Sequence, residues 1–382
     1  MARLHRDVVD ARLPSRFTAV MRAALIVAML AVLIRLVPYA GPERPLFSDE
    51  RDYDRLARSL ASTGRYEEGG RPTADRPIGY PAAVAAIYRV AGERPGAVRL
   101  FQAFLDGATV FLLFLLLRRQ GRRAALSAAV LWAAFPPAIL YTRLVRPETA
   151  AAFLLVASAV ALSREPSLSW VRRAFLGVLL GITVLVKTEF ILVLPLIPFV
   201  LEGRSLRWRR AAVILAGAAV VMAPWLVRNA VVVGAPTLST GIGGNLLLGN
   251  HPGATGGYAV NVPDSMRPRE VGEAAASAEA FRSAAGYIAE NPGRFIVGIP
   301  RKWAFLLMSE TELVVTAFHP APGDRSISFR SKARALPVWL HFAVSIPYGA
   351  LLLPSGGAGT TFRGCRSWPR TPPGSWPIGA PG

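Results

Sequence analysis

Stretches of 13 to 20 predominantly apolar residues recur along this chain, near positions 23–40, 98–117, 124–141, 149–163, 174–190, 190–202, 211–227 and 335–354. A soluble helix needs only an apolar stripe, whereas a membrane-spanning one is apolar all round for roughly 17–25 residues. At 382 residues, length alone suggests ~2–3 soluble domains. The chain is 52% apolar and only 18% charged, against about a quarter charged in soluble domains, so that division is excluded. The pattern predicts an all-α polytopic membrane protein with about eight helices within residues 1–354, the segment 174–202 being read as a helical hairpin.

Arginine placement orients the bundle. Arg3, Arg6, Arg12, Arg16 and Arg22 precede the first apolar stretch, and no A-x-A cleavage pattern follows it. The first helix is therefore read as uncleaved, with a cytoplasmic N-terminus. Arg118, Arg119, Arg122 and Arg123 follow the second stretch; Arg164, Arg172 and Arg173 follow the fourth; Arg204, Arg207, Arg209 and Arg210 follow the sixth. All three clusters fall on the side that the first helix assigns to the cytoplasm. The net charge of +20 is carried almost wholly by arginine, with Lys187, Lys302 and Lys332 the only lysines. Spread as membrane flanks, it does not build a nucleic-acid groove. Cys365 is the single cysteine, which excludes a disulfide-stapled domain and a Cys-based site, and His5, His251, His319 and His341 lack metal-ligand spacing. Neither metal nor cofactor is expected.

The opposite side receives two long loops, 41–97 and 228–334. Between Glu43 and Arg76 the first holds seven arginines and eight acids, and loops on a rigid helical frame are common places for chemistry. The active face is thus expected to be extracytoplasmic. Short helices at the membrane surface are predicted over Gly79–Val90 and Phe295–Met308. Val271, Ala274, Ala278, Phe281, Ala285 and Ile288 predict an amphipathic helix ending at Asn291-Pro292-Gly293. Residues 355–382 include fifteen Gly, Pro or Ser and predict a disordered tail.

Candidate chemistry concentrates near the first helix. In Phe47-Ser48-Asp49-Glu50-Arg51-Asp52-Tyr53, adjacent acids suit a general base or a divalent cation, and equally suit a solvated helix start with Ser48 as N-cap. In Asp75-Arg76-Pro77-Ile78-Gly79-Tyr80-Pro81, two prolines and a glycine present Arg76 where an anionic headgroup lies, or where it makes an ordinary ion pair. Arg35, Lys187 with Glu189, and Arg228 with Asn229 end apolar helices on the side of Asp49, so convergence on a phosphorylated lipid is expected, although each cation alone could merely snorkel. Asp106, inside the second apolar stretch, is either functional or the partner of an arginine on a neighbouring helix. The run from Gly241 to Gly253 fails both the phosphate-loop and the G-x-G-x-x-G templates and is read as a turn-rich loop.

These residues, taken in order, resemble a family. The Ser48-Asp49-Glu50 turn, Arg76-Pro77-Ile78-Gly79-Tyr80-Pro81, Ala97-Val98-Arg99-Leu100-Phe101-Gln102 and Ala223-Pro224-Trp225-Leu226-Val227-Arg228-Asn229 are similar to the corresponding stretches of dolichyl-phosphate-mannose-protein mannosyltransferase-like enzymes. So are Ser239-Thr240-Gly241, Gly244-Asn245-Leu246 and Gly249-Asn250. This is glycosyltransferase family 39 with its bacterial relatives of the GT-C fold, among them the aminoarabinose lipid A transferases, and the resemblance covers about residues 17–310.

The resemblance implies a multi-pass cell-membrane enzyme that moves a sugar, with inversion, from a polyprenyl-phosphate donor to a hydroxyl of a lipid, glycan or protein. It implies Asp49 as general base with Glu50 assisting, Arg76, Lys187 and Arg228 on the donor phosphate, and Tyr80, Glu189 and Asn229 against substrate. Relatives usually continue with more helices where this chain has one apolar stretch and the Gly/Pro/Ser tail, which suggests a truncated or frame-shifted end. A transporter or lipid-linked-sugar flippase is the competing class. It would be expected to show internal repeats and helices broken at mid-membrane, and no repeat relates the two halves.

Overall fold

The computed structural model describes residues 2–37, 45–163, 169–197, 208–256, 261–269 and 272–308, with side chains from Thr18 to Trp303 apart from that of Trp208. The apolar stretch 335–354, the tail 355–382, the end of the second loop from residue 309 and Arg164, Arg204 and Arg207 lie outside the described residues.

Among the described residues the strands form one hairpin, and the other regular elements are helical. In order come α1 (Ala2–Leu36), α2 (Asp49–Thr63), β1 (Glu67–Glu68), β2 (Arg71–Pro72), α3 (Gly79–Ala91), α4 (Pro95–Leu117), α5 (Arg122–Ala133), α6 (Pro136–Tyr141), α7 (Glu148–Leu162), α8 (Trp170–Val186), a 3₁₀ segment (Thr188–Leu196), α9 (Trp208–Val232), α10 (Gly241–Gly249), α11 (Glu273–Glu290) and α12 (Pro292–Met308). Thr18–Leu36, Pro95–Gln120 and Arg209–Val232 are long and apolar enough to cross a membrane, and Glu148–Leu162 is a shorter apolar helix. This is the expected all-α membrane protein.

The described residues divide into two compact units: 2–54 with 77–225, and 55–76 with 226–308. In the first, α4 packs on α1, α5 and α7, α7 on α8, and α3 on α4 and α8. Small residues make close approach possible: Ala24 and Ala31 of α1 meet Val110 and Phe114 of α4 and Ala125, Ala129 and Ala133 of α5. A Cβ on Gly177 of α8 would stand 2.1 Å from the Ile214 carbonyl oxygen of α9, so only glycine fits that crossing. Large apolar side chains point outward instead: Met29 is 66% exposed and Phe175 64%, while Arg35 and Asp106 lie inside. That inversion suits a lipid surround, where apolar exposure costs nothing and polar groups must find protein partners.

Three sequence expectations change here. The stretch 124–141 is two helices, because Pro136 and Pro137 cannot continue α5 and bias the residue before them to extended backbone. Of the hairpin expected in 174–202, residues 198–202 lie outside the described residues, and the part up to 197 is α8 followed by 3₁₀ turns, with Lys187 in extended conformation at the break and Pro195 within the turns. Gly79–Val90 does form a helix, and its Tyr80, Val84 and Tyr88 face is buried.

In the second unit, Gly69 and Gly70, with φ of 59° and 76°, make the two-residue turn that pairs Glu68 with Arg71. The glycine run read as a loop is α10. Its weak helix propensity is overridden by packing, since a Cβ on Gly243 would lie 2.0 Å from the Ser277 carbonyl oxygen on α11. α11 ends where Asn291-Pro292 predicts, but its inward face differs from the predicted stripe. Ala280 and Ala284 are buried with Leu247 and Val262, whereas Phe281 is 49% exposed.

Candidate active site

In the first unit the site is organised by Glu50. Ser48, with φ of 52°, is the one non-glycine residue at positive φ among those described, and it turns the chain into α2. That turn carries the Glu50 side chain back toward the protein. Fully buried, its carboxylate accepts the Phe47 amide at 3.1 Å and the Val145 amide at 2.9 Å. Glu50 therefore fastens the start of α2 to the segment leading into α7.

Gln102 of α4 holds the same segment from the other side. Its Nε2 donates to the carbonyls of Thr142 and Leu144 at 3.2 and 2.7 Å, and its Oε1 accepts the Tyr80 hydroxyl at 2.8 Å. Tyr80 is 2% exposed, and its ring stands edge-on to Tyr53 at 5.2 Å. Burial, then the nearby Glu148, raises its hydroxyl well above the ordinary tyrosine range, so it remains a neutral donor. Tyr80, expected against substrate, thus positions Gln102.

What the segment presents is Arg146-Pro147-Glu148. Arg146 Nη2 donates to Asp49 Oδ2 at 2.7 Å; the arginine side chain is 14% exposed and the aspartate 38%. Two residues on, Glu148 Oε1 receives Lys187 Nζ at 3.1 Å. The first turn of α2 favours Asp49, because helix N-termini stabilise negative charge. The structure therefore brings Asp49, Glu50, Tyr80 and Lys187 around residues 141–148, two carboxylate–cation pairs sharing one rigid strip. Arg146 and Glu148 were missed by the sequence reading, which treated 142–148 as a connection. Their signal was a charged Arg-Pro-Glu between two apolar stretches.

Other predicted residues have different tasks. Arg35 is fully buried and pairs with Asp106, which also accepts the Trp132 indole N–H at 2.9 Å. The same guanidinium donates to the carbonyls of Ala31, Ala133 and Trp132 at 3.1, 3.0 and 3.3 Å. Of the two readings of Asp106, the structure supports the interhelical ion pair, and Arg35 does not join the Asp49 cluster. Glu189 is exposed at the start of the 3₁₀ segment.

In the second unit, Arg228 donates to the carbonyls of Thr73 and Tyr66 at 2.6 and 2.7 Å and to Asn229 Oδ1 at 2.9 Å. Asn229 is fully buried and donates to the Thr237 carbonyl at 2.7 Å. Both residues fasten the chain. Glu273 accepts the Ala74 amide at 2.9 Å and the hydroxyls of Thr73 and Thr240, and the Thr240 amide donates to the Ala74 carbonyl at 2.9 Å. This framework presents Arg76, whose Nε lies 3.3 Å from Asp75 Oδ2 and whose side chain is one quarter exposed. Among the described residues no group of three His, Cys, Asp or Glu side chains is placed to hold a metal.

Residues 75–227 match the family model described as dolichyl-phosphate-mannose-protein mannosyltransferase. The match falls within the stretch over which the sequence resembles that family. No curated protein and no solved structure gives a match. The matched segment runs from Asp75 through α8 and most of α9, and so includes Arg76, Tyr80, Arg146, Glu148 and Lys187. That segment is thus similar to a family of mannosyltransferase-type glycosyltransferases. Asp49 and Glu50 precede it.

Proposed function

We propose that this membrane glycosyltransferase takes a sugar from a polyprenyl-phosphate donor and passes it, with inversion, to a hydroxyl of a lipid, glycan or protein at the extracytoplasmic face. The observation that carries this reading is the Asp49–Arg146 pair: a carboxylate held in one orientation by a mostly buried arginine, yet itself 38% exposed. Asp49 takes the proton of the acceptor hydroxyl as its oxygen attacks the anomeric carbon. The bond from that carbon to the phosphate oxygen breaks on the opposite face, and the polyprenyl phosphate leaves with the electron pair. Such base catalysis is worth on the order of 10²–10⁴ in rate.

The departing phosphate gains charge, so a fixed cation favours the transition state over the ground state. Lys187, held by Glu148 at 3.1 Å, supplies one within the first unit; for Arg76 a phosphate role rests on the resemblance alone. Glu50 acts in this scheme by holding the 145–148 segment, Arg228 by holding the backbone at Thr73, and Asn229 by bracing Arg228 against the Thr237 carbonyl. Reconstituted liposomes containing a labelled polyprenyl-phosphate sugar separate the two function classes. Label appearing in acceptor is the expected result; movement of intact lipid between leaflets without transfer would replace the enzyme by a flippase.

A further inference from the structure

The second unit contains a cavity of about 520 Å³ between the end of α10, the following segment 250–256 and α12. No acidic residue is among the described residues lining it, while Arg294, Arg301 and Lys302 are. Lys302 is the best anchored of these cations: Nζ donates to Asn250 Oδ1 at 2.8 Å and sits 5.4 Å from the centre of the Phe295 ring. Arg294 Nη1 reaches the Tyr287 hydroxyl at 3.4 Å. His251, 1% exposed, forms part of the wall.

The opposite side of α12 is apolar and outward. Ile296 is 63% exposed, Ile299 39% and Trp303 60%, a spacing of three and four that lays them on one stripe. A helix with such a stripe rests in the membrane interface with its apolar side about 5–10 Å deep. A helix is roughly 10–12 Å across with its side chains, so the cationic side then lies at headgroup level. Three cations with no counter-carboxylate suit a phosphoryl group, which arginine can grip by two parallel hydrogen bonds and lysine as a point charge.

We propose that this cavity is an anion site of the second unit, which binds the phosphoryl headgroup of a membrane lipid through Arg294, Arg301 and Lys302. The occupant is lipid-borne because the same helix supplies both the cations and the exposed apolar stripe. Burial lowers the Lys302 ammonium below the ordinary lysine range, so its share of the binding fades as pH rises toward that range.

The full-length protein in neutral detergent is titrated with phosphatidic acid, phosphatidylcholine or inorganic phosphate, and bound ligand is read by native mass spectrometry. Phosphatidic acid is expected to bind at least about tenfold better than either of the others. Each cation removed weakens binding about fivefold, so Arg294→Gln, Arg301→Gln and Lys302→Gln together lose roughly a hundredfold. Arg282→Gln, an exposed cation on α11 outside the lining, leaves binding unchanged. Equal binding by the triple variant and the wild type overturns the site, as does an equal loss in the Arg282 variant. Inorganic phosphate binding as tightly as the lipid overturns the lipid assignment. Because the readout is binding, it is independent of whether sugar transfer occurs.

Discussion

Replacing either partner of the Arg35–Asp106 pair tests whether this intramembrane acid is part of the frame or part of the chemistry. In Arg35→Leu, Asp106 keeps only the Trp132 indole N–H and loses its guanidinium inside an otherwise apolar crossing. In Asp106→Leu, a fully buried guanidinium remains with carbonyl oxygens alone. Removing one member of a buried pair costs about 3–5 kcal/mol, because the other charge is left without compensation. The double variant Arg35→Leu/Asp106→Leu leaves no buried charge. Its principal loss is the donor to the Trp132 and Ala133 carbonyls at the end of α5, worth about 1–2 kcal/mol. Thermal unfolding in detergent, followed by tryptophan fluorescence, reads this directly, since Trp132 is a partner of the pair. The reasoning predicts that both single variants unfold well before the double variant and that the double variant transfers sugar. A double variant no more stable than the worse single, or a stable one without activity, would refute it.

Two further substitutions probe the second unit. Gly243→Ala places a Cβ about 2.0 Å from the Ser277 carbonyl oxygen, and forcing α10 from α11 should cost about 1–3 kcal/mol; unchanged thermal stability would mean that α10 is not packed as described. Arg228→Lys cannot reproduce the fork that spans the Thr73 and Tyr66 carbonyls. A loss of about 2 kcal/mol is expected, and donor affinity falling with stability untouched would return Arg228 to the phosphate.

Much of the frame was legible because apolar runs and proline positions act locally. α1, α4, α7 and α9 lie on the predicted stretches, and Pro95 opens α4 where a proline at the first helical turn is favoured. The fold of α10 was not legible, since the five glycine and asparagine residues within Gly241–Gly249 read as turn chemistry until a neighbouring helix requires them to be small. The inward face of α11 was misjudged because alanines mark two faces alike, and the choice falls to Leu247 and Val262 on other segments. Asp49 was legible as an acid soon after the first apolar stretch. Its partner was not, because Arg146 lies 97 positions away and only the fold, through Gln102 and Glu50, brings it there. Arg228 was legible as a cation at a helix end, whereas the carbonyls it binds, 155 and 162 positions earlier, were not.

The central claim is that Asp49, oriented by Arg146, is the base for sugar transfer. Membranes carrying equal amounts of wild type or Asp49→Asn are supplied with labelled polyprenyl-phosphate sugar and acceptor, and initial transfer rates are compared at saturating donor. The account predicts a rate lower by about 10²–10⁴ for Asp49→Asn with donor binding retained. Equal rates would contradict it.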